Sequence, residues 1–493
     1  MNKFLDGLKN DTNLTLTENG AVTHKSTMSA VYDLFALGSA YRQRSDNDVL
    51  TLFSAAFEED RDLALKCLFY IRDVRGGQGE RRFFRLCFHW LAIRYPEIAR
   101  KNLEYLSEYG RYDDMWYSTF GTPLEKDTLK FIKDLLTLDI SCKAPSLLAK
   151  WLPSENASSV TTKRYARVIK NYLGMTSKQY RKTLSYLREK INIVERLMSL
   201  GEWDKIEFDK IPSKAGIKYK NAFARRDMIA KKYETFAKSE NTKVNAKTLY
   251  PYEVVEKAER CWSYSMDNVD RLIVNKYWAN LADYFNGKTF NGMVMADTSG
   301  SMTWGSSPRP IDIAVSLALY CADKAQGPFH GNFITFESNP HFMETKGHDF
   351  VDKVRNIYRA PWGGSTDVEA AFNLMLNTAI RHKCSSDEIP KNLIIVSDME
   401  FNSCVTSSRY GTPNATLMER IAAKWSAAGY TMPKLIFWNV NARNDNIPMK
   451  AKDGITFVSG ASPVIFEMIM SGKTSIDLML DKLLSDRYAV IKA

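Results

Sequence analysis

Met295-Ala296-Asp297-Thr298-Ser299-Gly300-Ser301-Met302 closes a short apolar run and marks the point where the chain changes its period. Downstream, β-rich runs at 292–296, 331–336, 392–397, 434–439 and 455–458 alternate with amphipathic stretches at 311–325, 367–378, 416–428 and 475–484. That alternation predicts βαβ units, hence a mainly parallel sheet with helices on both faces. In such a sheet ligands bind beyond the carboxyl ends of the strands, and the Asp-x-Ser-x-Ser turn stands at one of those ends. Upstream, from about 27 to 285, apolar residues recur at helical spacing. Candidate helices at 28–42, 47–57, 62–74, 80–93, 96–108 and 126–137 follow one another across short polar or glycine-containing turns. This predicts an all-α helical-repeat (HEAT-like) array, although no sequence period is strong enough to define a repeat. The expected organisation is multidomain, α + α/β: an N-terminal extension over 1–26, a helical-repeat domain over 27–287 and a Rossmann-like domain over 288–493.

Composition sets the class. The 493 residues are 45% hydrophobic and 25% charged, which excludes collagen-like, disordered and membrane-spanning chains. The N-terminal stretch lacks the continuous apolar core of a secretory signal, so a cytoplasmic protein without a membrane partner is expected. Seven cysteines, widely spaced and never in C-x-x-C, read as reduced, mostly buried thiols.

The net charge of +11 comes from one segment: residues 143–250 carry 24 Lys+Arg against 10 Asp+Glu, while 291–493 balance at 20 against 20. Such a block suits a polyanion, because each neutralised phosphate releases counterions; a solvated charged face is the competing reading. Within 160–173, Lys163, Arg167 and Lys170 share one face of an amphipathic helix, with Arg164 beside them. A long helix is expected over 178–200, with Leu184, Leu187, Ile191, Val194 and Met198 inside and Arg181, Lys182, Arg188 and Lys190 outside. Further cations follow at Lys214, Lys218, Lys220, Arg225, Arg226, Lys231 and Lys232. Among them Tyr219, Phe223 and Tyr233 read either as core or as base-stacking surfaces.

Two later turns supply oxygens to match the first: Gly363-Gly364-Ser365-Thr366-Asp367 before a helix, and Ile395-Val396-Ser397-Asp398 at a strand end. All three are expected at one sheet edge. Three hydroxyls and two carboxylates, without His or Cys, make a hard-oxygen site suited to Mg²⁺, with Mn²⁺ able to substitute. In the competing reading Asp297 and Thr366 merely cap turns. A phosphohydrolase is a weaker expectation: no second aspartate follows Asp297 by two residues, no G-x-S-x-G elbow is present, and the six histidines are scattered.

The order, spacing and strand context of these turns resemble the metal-ion-dependent adhesion site (MIDAS) of von Willebrand factor A domains, over about 288–493. The resemblance implies that Ser299, Ser301 and Thr366 ligate Mg²⁺ by hydroxyl. It implies too that Asp297 and Asp398 act directly or through waters, leaving a coordination position for an acidic side chain of a protein partner.

The helical half has its own marked segment, Tyr70-Ile71-Arg72-Asp73-Val74-Arg75-Gly76-Gly77-Gln78-Gly79-Glu80-Arg81-Arg82. Its glycine-rich turn between arginines has two readings. Arg72, Arg75, Gly76, Gly77, Gly79 and Arg81 cradle a phosphate, or the turn is a C-cap followed by a new helix, with arginines paired to Asp73 and Glu80. With Thr17-Glu18-Asn19-Gly20-Ala21, Lys150-Trp151-Leu152-Pro153-Ser154 and Leu249-Tyr250-Pro251, this segment is similar to the domain of unknown function 2828 family, nearly end to end. A helical half followed by an A domain also resembles the layout of the Ro autoantigen, or TROVE-domain, family. That resemblance implies a ribonucleoprotein scaffold for structured or misfolded small RNA, but carries no RNA-contacting residue over. The expected function is therefore non-enzymatic: RNA binding by basic helices, joined to an A domain that takes a partner through Mg²⁺. The alternative is a protein-interaction module that uses the metal site without RNA.

Overall fold

The computed structural model describes residues 9–493 except 10–11, 192, 240–242, 247, 262–267, 306, 361, 363, 404–415, 449–454, 472 and 474; Gly363 and Cys404 of the sequence reading thus lie outside the described residues. Two units emerge, one from 1–67 with 246–485, the other from 68–245 with 486–493. This division cuts across the boundary expected at 287/288.

The first unit begins with a hairpin, β1 (Leu14–Leu16) and β2 (Val22–His24), paired antiparallel. Its sheet comprises β3 (Gly292–Asp297), β4 (Asn332–Phe336), β5 (His341–Glu344), β6 (Asn392–Ser397), β7 (Lys434–Asn439) and β8 (Thr456–Ser459), in the order β5-β4-β3-β6-β7-β8. Every neighbouring pair is parallel except β4 with β5. β3, β6, β7 and β8 are buried almost throughout, as parallel strands covered on both faces must be. The expected Rossmann-like α/β sheet is borne out. One covering helix, Pro310–Lys324, is apolar around nearly its whole circumference and buried likewise. Each of its Ile, Val and Leu side chains contributes about 1.5–3 kcal/mol by leaving water.

Three features differ from expectation. β5 is an added antiparallel edge strand whose side chains alternate half-buried and exposed. The helices Phe350–Ile357 and Val464–Ile469 are also additions. The segment read as an N-terminal extension is a docked hairpin, and the helix Ala30–Leu37, expected in the helical domain, packs beside β8. There the Tyr32 hydroxyl accepts from the Phe457 amide (3.1 Å), and the Ser459 hydroxyl donates to the Phe35 carbonyl (3.4 Å). These residues cover an edge that would otherwise offer open ladder groups.

The second unit is helical, from Arg81–Arg94 to Asp227–Lys238. The stretches expected as single helices at 96–108 and 178–200 each break in two: Pro96–Lys101 with Leu106–Tyr109, and Ser177–Lys190 with Val194–Leu200. Phe69 anchors one core, edge-on to Phe84 and to Tyr109 at 5.3 Å each. Phe208 anchors another, 5.2 Å from Phe223 and 4.9 Å from Tyr233. Phe223 and Tyr233 are therefore core residues and not stacking surfaces.

The C-terminal residues complete this unit. Tyr488 stacks on Tyr109 at 5.6 Å, and its hydroxyl donates to Asp73 Oδ2 at 2.9 Å. Arg487 grips the same carboxylate, with Nη2 2.7 Å from Oδ1. Asn102 and the Lys492 backbone exchange two hydrogen bonds, of 2.7 and 3.2 Å. Burial would raise the Asp73 acid, yet Arg487 and the amides of Arg75 and Gly76 hold it below the usual carboxylate range.

Candidate functional site

The sheet changes winding direction between β3 and β6, since the chain passes from β3 outward to β4 and later from β6 outward to β7 and β8. Such a reversal opens a crevice at the carboxyl ends of the two strands. Asp297 ends β3, and Asp398 follows β6 directly.

The Asp297 carboxylate accepts from the Ser299 amide (2.9 Å) and, at its other oxygen, from the Ser397 hydroxyl. The Ser299 and Ser301 hydroxyls are 3.2 Å apart, and the Glu400 amide donates to Asp398 Oδ1 at 3.2 Å. The Gly300 amide donates to the Gly364 carbonyl (3.2 Å), which brings the turn carrying Thr366 to the turn carrying the serines. Thr366 is buried, and its carbonyl accepts from the Asn402 amide. The three turns separated in sequence thus meet at one sheet edge.

Charge at this edge is unbalanced. Asp297, Asp398 and Glu400 are each 0% exposed. Burial, then the Asp398 carboxylate, pushes the Asp297 acid upward; burial also raises Asp398 and Glu400. The Asp398 Oδ2 atom is buried and accepts no hydrogen bond. Carboxyl groups held out of water in this way are kept neutral unless a cation balances their charge. The oxygen-only donor set of Asp297, Ser299, Ser301, Thr366 and Asp398 matches the chemistry that a hard divalent ion prefers. Met399, next to Asp398, holds φ at +65°, a left-handed conformation that a non-glycine residue adopts at a cost and that recurs at functional sites.

Sequence reasoning missed three neighbours. Arg443, in the loop after β7, places Nη2 3.3 Å from Asp398 Oδ2 and Nη1 2.8 Å from Glu18 Oε2. Its guanidinium supplies part of the positive charge that the carboxylates lack. Glu400 accepts from the Glu18 amide (2.8 Å) and from Asn444 and Asn446 (2.9 and 2.8 Å). The hairpin tip reaches the same place, because Thr17 donates to the Phe401 carbonyl (2.6 Å) and Gly20 bridges to Asn402. A clue was present: 17–21 stood out in the sequence before any partner for it was apparent.

The glycine-rich turn at 74–80 folds upon itself. The amides of Gln78, Gly79 and Glu80 donate to the carbonyls of Tyr70, Asp73 and Ile71 at 3.1, 3.1 and 2.8 Å, and the Arg75 amide donates to Asp73 Oδ1 at 2.9 Å. A Cβ on Gly77 would lie 2.0 Å from the Tyr70 carbonyl oxygen, so only glycine fits there. Arg72 is buried against Asp114, Arg75 donates to the Glu108 carbonyl, and Gly76 lies against the Arg487 side chain. These amides close the turn instead of facing an anion.

The basic segment sorts into engaged and open cations. Arg188 donates to the carbonyls of Ala149 and Leu152 at 2.8 and 3.0 Å, and Lys170 pairs with Glu155 at 3.0 Å. Arg226 lies over the Trp203 ring at 3.7 Å, Lys218 over the Tyr219 ring at 4.9 Å, and Arg181 donates to the Ser177 carbonyl. Lys214 is exposed, whereas Lys163 and Lys220 are half-buried. Arg164, Arg167, Lys182 and Arg225 are exposed, and among the described residues no acidic group pairs with them.

The family model described as Domain of unknown function (DUF2828) matches residues 17–140 and 120–288, more than half of the chain. The chain belongs to that family. This bears out the likeness read from 17–21, 70–82 and 249–251. A second model, Domain of unknown function (DUF7788), matches residues 291–486 of this DUF2828 member. A relative, Uncharacterized protein L728 of Acanthamoeba polyphaga mimivirus, is 31% identical over 506 residues, which span 94% of this chain and 85% of the relative. Among solved structures, the crystal structure of Deinococcus radiodurans RO (RSR) protein is similar over 91% of this chain and 100% of its own, with 13% identity and a TM-score of 0.49. No helix of the described residues is long and apolar enough to cross a membrane.

Proposed function

We propose that this chain is a non-enzymatic RNA-binding scaffold whose α/β unit takes a protein partner through a divalent cation. The observation that carries the RNA reading is the set of unpaired, exposed cations on Val160–Tyr172, Ser177–Lys190 and the end of Ser213–Ala224. Surface cations that find no carboxylate are free to replace counterions along a phosphate backbone. Arg164, Arg167, Lys182 and Arg225 lead this surface, with Lys163, Arg181, Lys214, Lys218 and Lys220 contributing around them. The ligand class is structured small RNA, and the helical unit is its repeat scaffold.

Mg²⁺, or Mn²⁺ in its place, would be held by Asp297, Ser299, Ser301, Thr366 and Asp398. When bound, the ion supplies a Lewis-acidic position for an acidic side chain of the partner. The chain's own residues hold the two carboxylates out of water; the Ser299 amide and the Ser397 hydroxyl orient Asp297, and the Glu400 amide orients Asp398.

The test is electrophoretic mobility shift of a structured RNA by wild type and by an Arg164→Glu/Arg167→Glu/Lys182→Glu variant. The expected result is salt-dependent binding by wild type and broad loss in the variant across RNA sequences. Equal affinity of the two proteins would remove this surface from RNA binding. A wild type that shifts no RNA, yet retains a partner in Mg²⁺ and releases it in chelator, would favour the cation-dependent protein-interaction module alone.

A further inference from the structure

A node in the helical unit carries more positive charge than it neutralises. Asp114, fully buried, accepts from Arg72 Nε (2.8 Å) and Nη2 (2.6 Å), from Arg85 Nε (2.6 Å) and from the Arg111 amide (2.9 Å). Asp113 is held by Arg111 through Nε (2.9 Å) and Nη2 (2.5 Å). The two carboxylates are thereby occupied by three guanidiniums. Arg85 Nη2 is 3.0 Å from Asp113 Oδ2 but misaligned, and remains a buried donor without a hydrogen bond.

Arg81 opens the helix Arg81–Arg94 one turn before Arg85, on the same helix face, and adds a fourth cation beside the node. It is exposed, and none of the described residues hydrogen-bonds or ion-pairs with it. Loss of hydration, then the guanidiniums of Arg111 and Arg85, hold it below the usual arginine range, against the pull of Asp113 and Asp114. Four guanidiniums, of Arg72, Arg81, Arg85 and Arg111, here face two carboxylates, a surplus of positive charge at the node.

Aromatic rings fix the guanidinium planes. Arg85 lies 4.2 Å from the Tyr117 ring centre and Arg111 4.2 Å from that of Trp151. Tyr117 meets Tyr165 edge-on at 5.2 Å, and both Arg85 and Arg164 act electrostatically on the Tyr165 hydroxyl. Arg164, next to Tyr165 in the chain, is thereby linked to the node through the Tyr117–Tyr165 contact.

We propose that Arg81, Arg85 and Arg111 form a phosphate site that seats one phosphodiester of a bound RNA, with Arg164 taking a neighbouring phosphate of the same strand. This deepens the RNA-binding reading above and rests on it. Guanidinium forks match phosphate oxygens two at a time, and aromatic backing pre-organises them. A lone carboxylate would satisfy the node but leave Arg164 without a role. The site lies beside the glycine-rich turn, not in it: guanidiniums from Arg81–Arg94 and from the residues around 111 do the binding, and the turn amides do not.

The experiment uses the full chain and a fluorescein-labelled RNA stem-loop, followed by anisotropy across a KCl series. Arg81→Ala should leave the melting temperature unchanged, since Arg81 holds no partner. It should weaken RNA binding about three- to tenfold and flatten the slope of log K against log salt by about 0.7–0.9, the share of one phosphate. Arg81→Ala/Arg164→Ala should flatten it about twice as much. Unchanged affinity and slope in Arg81→Ala, with wild type binding normally, would overturn the site and leave the RNA reading intact. If wild type binds no RNA, calorimetry with inorganic pyrophosphate decides. Heat seen in wild type and lost in Arg81→Ala keeps the phosphate site while the RNA reading falls; no heat in either protein overturns the site as well.

Discussion

Arg443 Nη2 stands 3.3 Å from Asp398 Oδ2, so the chain brings a guanidinium of its own to one of the two carboxylates of the proposed metal site. The contact is off-centre for a hydrogen bond, since Asp398 Oδ2 accepts none, and Arg443 shares its charge with Glu18. The guanidinium and an incoming cation therefore compete for the same negative charge.

Replacing Arg443 by Ala should tighten Mn²⁺ binding about fivefold, equivalent to about 1 kcal/mol for a partly exposed pair. Isothermal titration of wild type and variant measures it. Unchanged or weaker Mn²⁺ affinity would show that Arg443 does not oppose the ion.

Asp297→Asn removes one of three buried carboxylates at this edge while keeping the shape of the side chain. Without divalent ions the variant should be as stable as wild type or more stable, by up to about 1–3 kcal/mol, and melt at the same or a higher temperature. The rise in melting temperature on adding Mg²⁺ should vanish. Calorimetric scans with and without Mg²⁺ give both readouts, and a retained Mg²⁺ response would take Asp297 out of the ligand set.

Asp73 should govern the acid limit of the helical unit. Its acid is depressed below the ordinary value of 3.8, so its stabilising contribution is complete above that pH and is lost as pH falls further, through the folded value. Asp73→Ala strands Arg487 and should cost about 3–5 kcal/mol at neutral pH. Urea unfolding at pH 7 and acid titration of wild type report the two effects. A variant as stable as wild type would mean the pair adds nothing net.

Gly77→Ala tests the glycine-rich turn. With 2.0 Å between the new Cβ and a backbone oxygen, the turn must move, and a loss of about 2–4 kcal/mol in urea unfolding is expected. Gly121→Ala, with open space around it but φ at +80°, should lose about 1 kcal/mol. Equal losses would mean that closeness to Tyr70 is not what keeps residue 77 a glycine.

The parallel strands were legible because burial on both faces writes itself as unbroken apolar runs, as at 392–397 and 434–439. The meeting of the three turns was legible for a related reason: turns at strand ends gather at one sheet edge, and Asp297, Thr366 and Asp398 each end, precede or follow a readable element. β5 was not, because an edge strand with an exposed face and only four residues resembles a loop. Nor were β1 and β2, three residues each, whose stability comes from partners about four hundred residues away such as Phe401 and Ile447. Arg443 was hidden because nothing local ties a loop arginine to Asp398. The placement of Ala30–Leu37 shows the same limit: a helical period identifies a buried face without saying what buries it.

Asp73 and Arg487 are 414 positions apart, and this separation orders events during synthesis. A ribosome adding roughly 5–20 residues per second takes roughly 20–80 s to travel between them. Throughout that interval the nascent helices hold a carboxylate that must later be sealed, while the sheet unit is still being made. The helices produced early therefore wait for the last residues of the chain, and a slowed or stalled ribosome prolongs the time for which the helical unit lacks its C-terminal seal.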